Sequence, residues 1–190
     1  MSAGSPEPSG KPARVLATDS LFFALFPDEA AAARLTDLSK QLRSQYGLKA
    51  RPIPLERLHV TLHYLGAFAG LPDGLIARAH AAASSIALPP AEIELARIES
   101  FPGRRAKRPL VLSGDASPSL HALHAALADA GIAVKRHPRF VPHVTLLYDE
   151  QRVPSHPVAL VAWRAREFAL VRSLLGQSRH EVLARWPLAG

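Results

Sequence analysis

Apolar positions along this chain follow a strand period and a helical period in alternation. The run from Leu21 to Phe26 is short, apolar and aromatic, which is typical of a buried strand. Asp28 then stands where a helix cap is needed, and apolar residues recur at helical spacing up to Gly47, at Leu35, Leu38 and Leu42. The pattern therefore predicts a strand followed by a helix.

Further helices and strands are predicted in the same way. One helix runs from about Pro72 to Ile86, and another from Ser117 to Ala130, where Gly131 ends it. Strand-like runs lie between and after the helices, at 91–101, 109–115, 165–175 and 180–188 and in two segments that read HVTL. The opening of the chain is rich in Ser, Pro and Gly, so residues 1–14 are expected to form a disordered tail before a single domain at 15–190.

The two HVTL segments are the most informative motif. They begin at His59 and His143, and each is followed by a Tyr two residues after its Leu. Side chains two apart in a strand share a face. Each copy is therefore expected to show an imidazole and a hydroxyl on one face, and to bury on the other the set Val60, Leu62 and Tyr64, or Val144, Leu146 and Tyr148.

The order of strand, helix and motif strand occurs twice along the chain. Two copies predict an α+β fold of two pseudo-symmetric lobes, each an antiparallel sheet with helices on its outer face. An active-site cleft would lie between the lobes. Each lobe would contribute one His and one Thr to that cleft.

Composition and charge narrow the class of protein and its partners. The 190 residues are 48% hydrophobic, enough for a full core, and the absence of cysteine excludes disulfides and thiolate metal sites. The net charge of +7 favours anionic partners such as RNA. Since no secretory leader or membrane span is evident, the expectation is a monomeric cytoplasmic protein with no membrane partner.

Two imidazoles across a cleft suit the cleavage of a phosphodiester. In-line displacement needs a base that takes a proton from water and an acid that protonates the leaving oxygen. Because the ordinary pKa of His lies near 6.5, one neutral and one protonated copy coexist near neutral pH. Thr hydroxyls beside them can donate to the non-bridging oxygens. The scheme needs no metal or other cofactor, and a strained 2′,3′-cyclic phosphate at an RNA end is a reasonable substrate.

With these motifs and their flanks, RLHVTLHYLG, ESFPGRRAKRP and RFVPHVTLLYD, the chain resembles the 2H phosphoesterase superfamily from about Leu21 to Leu188. It is most similar to the RNA 2′,3′-cyclic phosphodiesterases formerly called 2′-5′ RNA ligases. The resemblance implies that His59 donates a proton to the leaving 3′ oxygen and that His143 accepts one from water, giving a 2′-phosphate. It implies a catalytic set of His59, Thr61, His143 and Thr145.

The chain departs from the family pattern in two places. Many members have Arg after the second motif, where Tyr148 and Asp149 stand here. They also have Tyr before the closing Val-Leu, where this chain has His180. Both departures concern phosphate contacts and substrate range.

Candidate substrate-binding residues flank the motifs. A basic loop either positions RNA phosphates or is a solvated turn, and it contains Arg104, Arg105, Lys107 and Arg108. Arg139 and Phe140 precede the second motif and offer a guanidinium and a ring for a terminal base, although Phe140 as a core residue is the competing interpretation. His63 is expected at the rim beside His59, and His121 and His124 at the surface or an interface.

Three other functions are open at this point. A zinc hydrolase would use His59 and His63, but that ligand spacing needs a helix and the Glu of H-E-x-x-H is missing. A non-catalytic RNA-binding module would keep the cleft for its charge, yet both motifs are intact. Joining of RNA ends through a 2′-5′ linkage is the same chemistry run backwards with the same residues.

Overall fold

The computed structural model of the protein describes residues 16–103, 107–130 and 140–189. Within these ranges the chain forms eight strands and three α-helices. In chain order they are β1 (Asp19–Leu25), α1 (Glu29–Tyr46), β2 (Val60–Phe68), α2 (Asp73–Ser84), β3 (Ala91–Ser100), β4 (Arg108–Ser113), α3 (Pro118–Asp129), β5 (His143–Asp149), β6 (His156–Ala165), β7 (Glu167–Leu174) and β8 (Arg179–Pro187). The predicted tail at 1–14 lies outside the described residues.

All three predicted helices form, and α1 and α3 begin at the capping residues that the sequence indicates, whereas α2 has no side-chain cap. The Asp28 carboxylate accepts a hydrogen bond from the Ala31 N–H at 2.8 Å, and α1 ends at Gly47 in the left-handed conformation, with φ of 63°. Ser117 caps α3 by accepting from the Leu120 N–H. No helix among those described is long and apolar enough to cross a membrane.

All eight strands belong to one antiparallel sheet, in the order β6-β3-β4-β5-β2-β1-β7-β8. Its two halves are related by pseudo-symmetry, because β1, α1 and β2 of one correspond to β4, α3 and β5 of the other. The halves meet where β2 and β5 pair at Val60 and Val144, the second residue of each motif. The predicted α+β fold of two similar lobes is confirmed, and the motif strands lie at its centre.

The helices cover one face of the sheet, here called the helix face, and leave the opposite, open face free. Each helix buries one apolar stripe, for example Leu35 and Leu42 of α1 and Leu123 and Leu127 of α3. Helix α1 packs on β5 and β6 of the other half, and α3 packs on β3 of its own half and on β2 of the other. The main core lies between these helices and the sheet.

A β-bulge interrupts each motif strand directly after its Thr. In β2, Thr61 pairs with Ala24 and His63 with Phe23, which leaves Leu62 as the extra residue, and Leu146 is the corresponding extra residue of β5. Side chains that follow a bulge lie on the opposite face of the sheet from the one that uninterrupted alternation predicts. The prediction that Tyr64 and Tyr148 are buried is therefore wrong, since they are 45% and 50% exposed.

Strand β6 was not predicted from the sequence. It is an edge strand of the sheet, it contains Pro157, and most of its first half is exposed. Edge strands tolerate proline because they need no partner on one side. Trp163 of β6 is nevertheless buried, and its indole N–H donates to the Phe26 carbonyl at 3.1 Å.

Candidate active site

The two motif histidines lie at the centre of the open face. Both segments alternate half-buried His and Thr with fully buried Val and Leu, as the strand pattern predicts. In the antiparallel register set by the pairing of Val60 with Val144, His59 corresponds to Thr145 and Thr61 to His143. Each imidazole is thus matched with the Thr of the other motif, and the four side chains form one group.

Both imidazoles are held in the same way by the backbone. Nδ1 of His59 donates to the Arg57 carbonyl at 2.7 Å, and Nδ1 of His143 donates to the Val141 carbonyl at 2.8 Å. A carbonyl oxygen only accepts hydrogen bonds, so Nδ1 carries a proton in both rings. Nε2 is left in each ring as a base when neutral and as an acid when protonated.

His59 lies in an aromatic environment. Its ring stacks on Phe22, with centroids 5.0 Å apart. The centroids of the Phe26 and His180 rings lie 6.4 Å and 5.3 Å from that of His59. Desolvation lowers the pKa of His59, and the charges of His143 and Arg57 lower it further against the opposing hydrogen bond to the Arg57 carbonyl. The neutral form of His59 is therefore favoured.

His180 is a third histidine of the site, which the sequence marked only as a departure from the family pattern. Its pKa is lowered to about 4, first by desolvation and then by the charges of His59 and Arg57. Two polar atoms near His59, His180 Nδ1 and Arg57 Nε, are buried without a hydrogen-bond partner among the described residues.

The surroundings of His143 are more polar. The edge of the Phe101 ring lies against it, with centroids 4.9 Å apart, and Ser113 is its neighbour on β4. The Ser113 hydroxyl donates to a Glu99 carboxylate oxygen at 2.6 Å. A cavity of about 610 Å³ opens here, and its walls include Glu99, Phe101, Ser113 and Phe140. The two halves of the site therefore differ in chemistry although their backbones are similar.

The model of the 2′-5′ RNA ligase superfamily matches residues 26–177 of the chain. The chain belongs to this superfamily. Solved structures with the same fold include TT0787 of Thermus thermophilus, 26% identical over 90% of this chain and 98% of that one, with a TM-score of 0.68. E. coli LigT, complexed with 3′-AMP, is 24% identical over 90% and 99% of the two chains, with a TM-score of 0.65. No curated protein matches the chain.

The departures from the 2′-5′ RNA ligase superfamily pattern have different consequences. The Asp149 carboxylate accepts hydrogen bonds from the backbone N–H groups of Lys49, Ala50 and Gln151, each at 2.9 Å. Burial opposes ionisation of this carboxyl, but the donors prevail and its pKa is lowered. Asp149 therefore fastens the segment after α1 to β5, whereas His180 changes the site itself.

The predicted substrate-binding residues are only partly described. Arg104, Arg105 and Arg139 lie outside the described residues. Phe140 is half-buried, and one face of its ring stacks on His124, with centroids 4.2 Å apart and an angle of 7°. Phe140 packs against the core and also lines the cavity beside His143, so its position is compatible with both interpretations that the sequence left open.

His63, His121 and His124 lie outside the motif pair, although His121 lines the cavity beside His143. The bulge at Leu62 places His63 on the helix face, where it is 6% exposed and its ring contacts that of His124, so the expectation of a rim position beside His59 is wrong. His124 is half-buried and donates from Nδ1 to the Leu62 carbonyl, whereas His121 is exposed. A zinc pair of His59 and His63 is excluded by this geometry.

Proposed function

We propose that this protein hydrolyses 2′,3′-cyclic phosphate ends of RNA to 2′-phosphomonoesters, with the two motif histidines as acid and base. The observation that carries the proposal is the matched pair of imidazoles on the central strands, each with Nδ1 bonded to a carbonyl and Nε2 left for chemistry. The superfamily supports the class of reaction, since it acts on RNA. The 3′-AMP in the E. coli LigT structure is a relevant precedent, because it carries a phosphate on a ribose hydroxyl.

In the proposed reaction, a water oxygen attacks phosphorus as His143 Nε2 takes its proton. The bond from phosphorus to the 3′ oxygen breaks, and His59 Nε2–H gives its proton to that oxygen. Thr61 and Thr145 donate hydrogen bonds to the non-bridging oxygens as their charge grows. The products are a 2′-phosphate and a 3′-hydroxyl, and proton exchange with solvent restores both rings.

Because the pKa of His59 is lowered, we expect the bound substrate to favour its protonation. An acid must be protonated when the bond breaks, yet desolvation disfavours the protonated form of His59. The negative phosphate favours imidazolium, so His59 takes up its proton together with the ligand. Calorimetry of 2′-AMP binding near pH 7, in buffers of different ionisation enthalpy, should show net proton uptake that His59→Gln abolishes. Binding with no proton uptake would contradict this coupling.

Replacement of the two histidines tests the proposal. His59→Ala and His143→Ala should each lower kcat/KM on a cyclic-phosphate oligonucleotide by roughly 100-fold or more, and the double variant by much less than the product of the two. His80→Ala, on the exposed side of α2, is the matched control and should retain activity. Near-normal turnover by either motif variant would overturn the assignment. Activity should also survive EDTA, whereas loss restored by zinc would favour metal chemistry.

The assignment of roles is tested by a substrate with a better leaving group at the 3′ position. Such a group needs no proton, so it should rescue the His59 variant and leave the His143 variant impaired. Rescue of the His143 variant alone would reverse the two roles. A bell-shaped pH profile of kcat/KM should accompany the wild-type reaction, and its limbs belong to the pair of groups.

Ligation through a 2′-5′ linkage is the second candidate, favoured by the description of the matching family. It requires a 5′-hydroxyl oxygen in place of water as the nucleophile, with His59 and His143 unchanged in their roles. Supplying a second RNA with a free 5′-hydroxyl and analysing the products distinguishes the two directions.

A further inference from the structure

We infer that the cavity beside His143 is a nucleobase subsite that prefers guanine, with Glu99 as the residue that recognises the base. The inference rests on the proposed function, because the base is that of the nucleoside carrying the cyclic phosphate. The volume of the cavity, about 610 Å³, lies within the range of small-molecule sites, roughly 300–1,000 Å³.

The position of the cavity relative to the reacting phosphate fits a nucleoside. Glu99 of β3 pairs with Val111 of β4, which in turn pairs with Thr145 of β5. Two strand spacings, about 10 Å, thus separate Glu99 from the proposed phosphate-binding Thr. Phe101, whose ring edge touches His143, lies at the junction between the site and the cavity. A ribose on the phosphate would therefore direct its base into this space.

The carboxylate of Glu99 is prepared for a ligand with hydrogen-bond donors. It is half-buried, it has no ion-pair partner in the described part of the chain, and the buried Ser113 hydroxyl holds one of its oxygens. An ionised carboxylate only accepts hydrogen bonds and has room for about four. Since it would repel the phosphate of the substrate, the part of the substrate that it faces must be rich in donors.

Guanine meets this requirement better than the other bases. Its N1–H and its 2-amino group are adjacent donors that match the two oxygens of one carboxylate. Adenine and cytosine place an acceptor nitrogen next to their amino group, and uracil has one N–H between two carbonyls. The rings of Phe101 and Phe140 add flat apolar surface at the cavity wall, on which any base stacks.

Relative rates on four cyclic nucleotides test the inference. Wild-type protein should hydrolyse guanosine 2′,3′-cyclic phosphate with a kcat/KM at least roughly 10-fold above that of the adenosine, cytidine and uridine compounds. The inosine compound lacks the 2-amino group and should fall between guanosine and adenosine. Equal rates on all bases would overturn the guanine subsite while leaving the proposed function intact.

Substitution of Glu99 separates recognition of the base from catalysis. Glu99→Gln replaces one acceptor oxygen with a donor and should lower the guanosine rate at least 10-fold relative to adenosine, because glutamine pairs well with adenine. Glu94→Gln, on the exposed side of the same strand, should leave the ratio unchanged. A uniform loss on all four nucleotides would show that Glu99 acts on the chemistry and not on the base. A loss of guanosine preference in Asp115→Asn and not in Glu99→Gln would move recognition to Asp115.

Binding measurements keep the inference testable if no cyclic nucleotide is hydrolysed, a result that would overturn the proposed function. The wild-type protein should then still bind 3′-GMP at least about 10-fold more tightly than 3′-AMP, and Glu99→Gln should remove the difference. Equal affinities in the wild-type protein would overturn the subsite as well.

Discussion

Acid should destabilise this protein through His180 of its candidate active site, where many superfamily members have Tyr. The folded state lowers the pKa of His180 from 6.5 to about 4 by desolvation and by the charges of His59 and Arg57. In the unfolded chain the imidazole takes up a proton below about pH 6.5, whereas in the folded protein it stays neutral down to about pH 4. The unfolded state therefore gains protons first, and stability is lost as the pH falls through this window.

The size of this effect follows from the difference between the two pKa values. That difference corresponds to about 3 kcal/mol at 1.36 kcal/mol per pKa unit. Because the His180 ring is half-buried and partly screened by solvent, about 1–2 kcal/mol is expected. Urea titration at pH 7.5 and at pH 4.5 gives the loss of unfolding free energy between the two pH values. This loss should be smaller in His180→Phe than in the wild-type protein, by about 1–2 kcal/mol.

His121→Phe is the matched control for this experiment, since His121 is exposed on α3. It should show the same acid sensitivity as the wild-type protein. An equal loss of stability in His180→Phe would refute the reasoning, because the desolvated imidazole would then not be a source of the effect.

The remaining predictions concern the core, one structural carboxylate and the charged loop. Phe23→Ala should lower the free energy of unfolding by about 3–5 kcal/mol, because Phe23 is fully buried against Phe168 and Trp186. Leu183→Ala at the surface should lower it by under about 0.5 kcal/mol. Urea titration measures both, and a small loss in Phe23→Ala would contradict the packing. Asp149→Asn should cost about 2–4 kcal/mol by the same measurement, since three backbone N–H groups lose a charged acceptor, and near-neutrality would contradict the described bonds. Arg108 begins β4, and the predicted loop thus ends before it. Neutralising Arg104, Arg105, Lys107 and Arg108 together should flatten the salt dependence of RNA binding, and an unchanged slope would favour the solvated turn.

Much of the fold is predictable from short-range patterns in the sequence. The caps at Asp28 and Ser117 and the apolar spacing of α1 and α3 are short-range signals, and the corresponding helices form where they predict. The alternation within HVTL likewise places His59 and His143 on a common face without knowledge of the partner strands. Repetition of the motif then predicts two similar halves.

Features that depend on pairing between distant strands were not predictable. The bulges at Leu62 and Leu146 exist because β2 and β5 each oppose a strand with one residue fewer, and they decide the positions of Tyr64 and His63. His180 reaches His59 only through the pairing of β1, β7 and β8. No local spacing in the sequence indicates that contact.

The central claim is most directly tested by the product of one reaction. An oligonucleotide ending in a 2′,3′-cyclic phosphate should be incubated with the wild-type protein and with the double variant His59→Ala, His143→Ala, and the phosphorus followed by NMR. The account predicts that the wild-type protein converts the cyclic phosphate to a 2′-phosphomonoester, and that the double variant leaves it unchanged on the same timescale. A persistent cyclic phosphate with the wild-type protein, or a 3′-phosphomonoester as its product, would contradict the account.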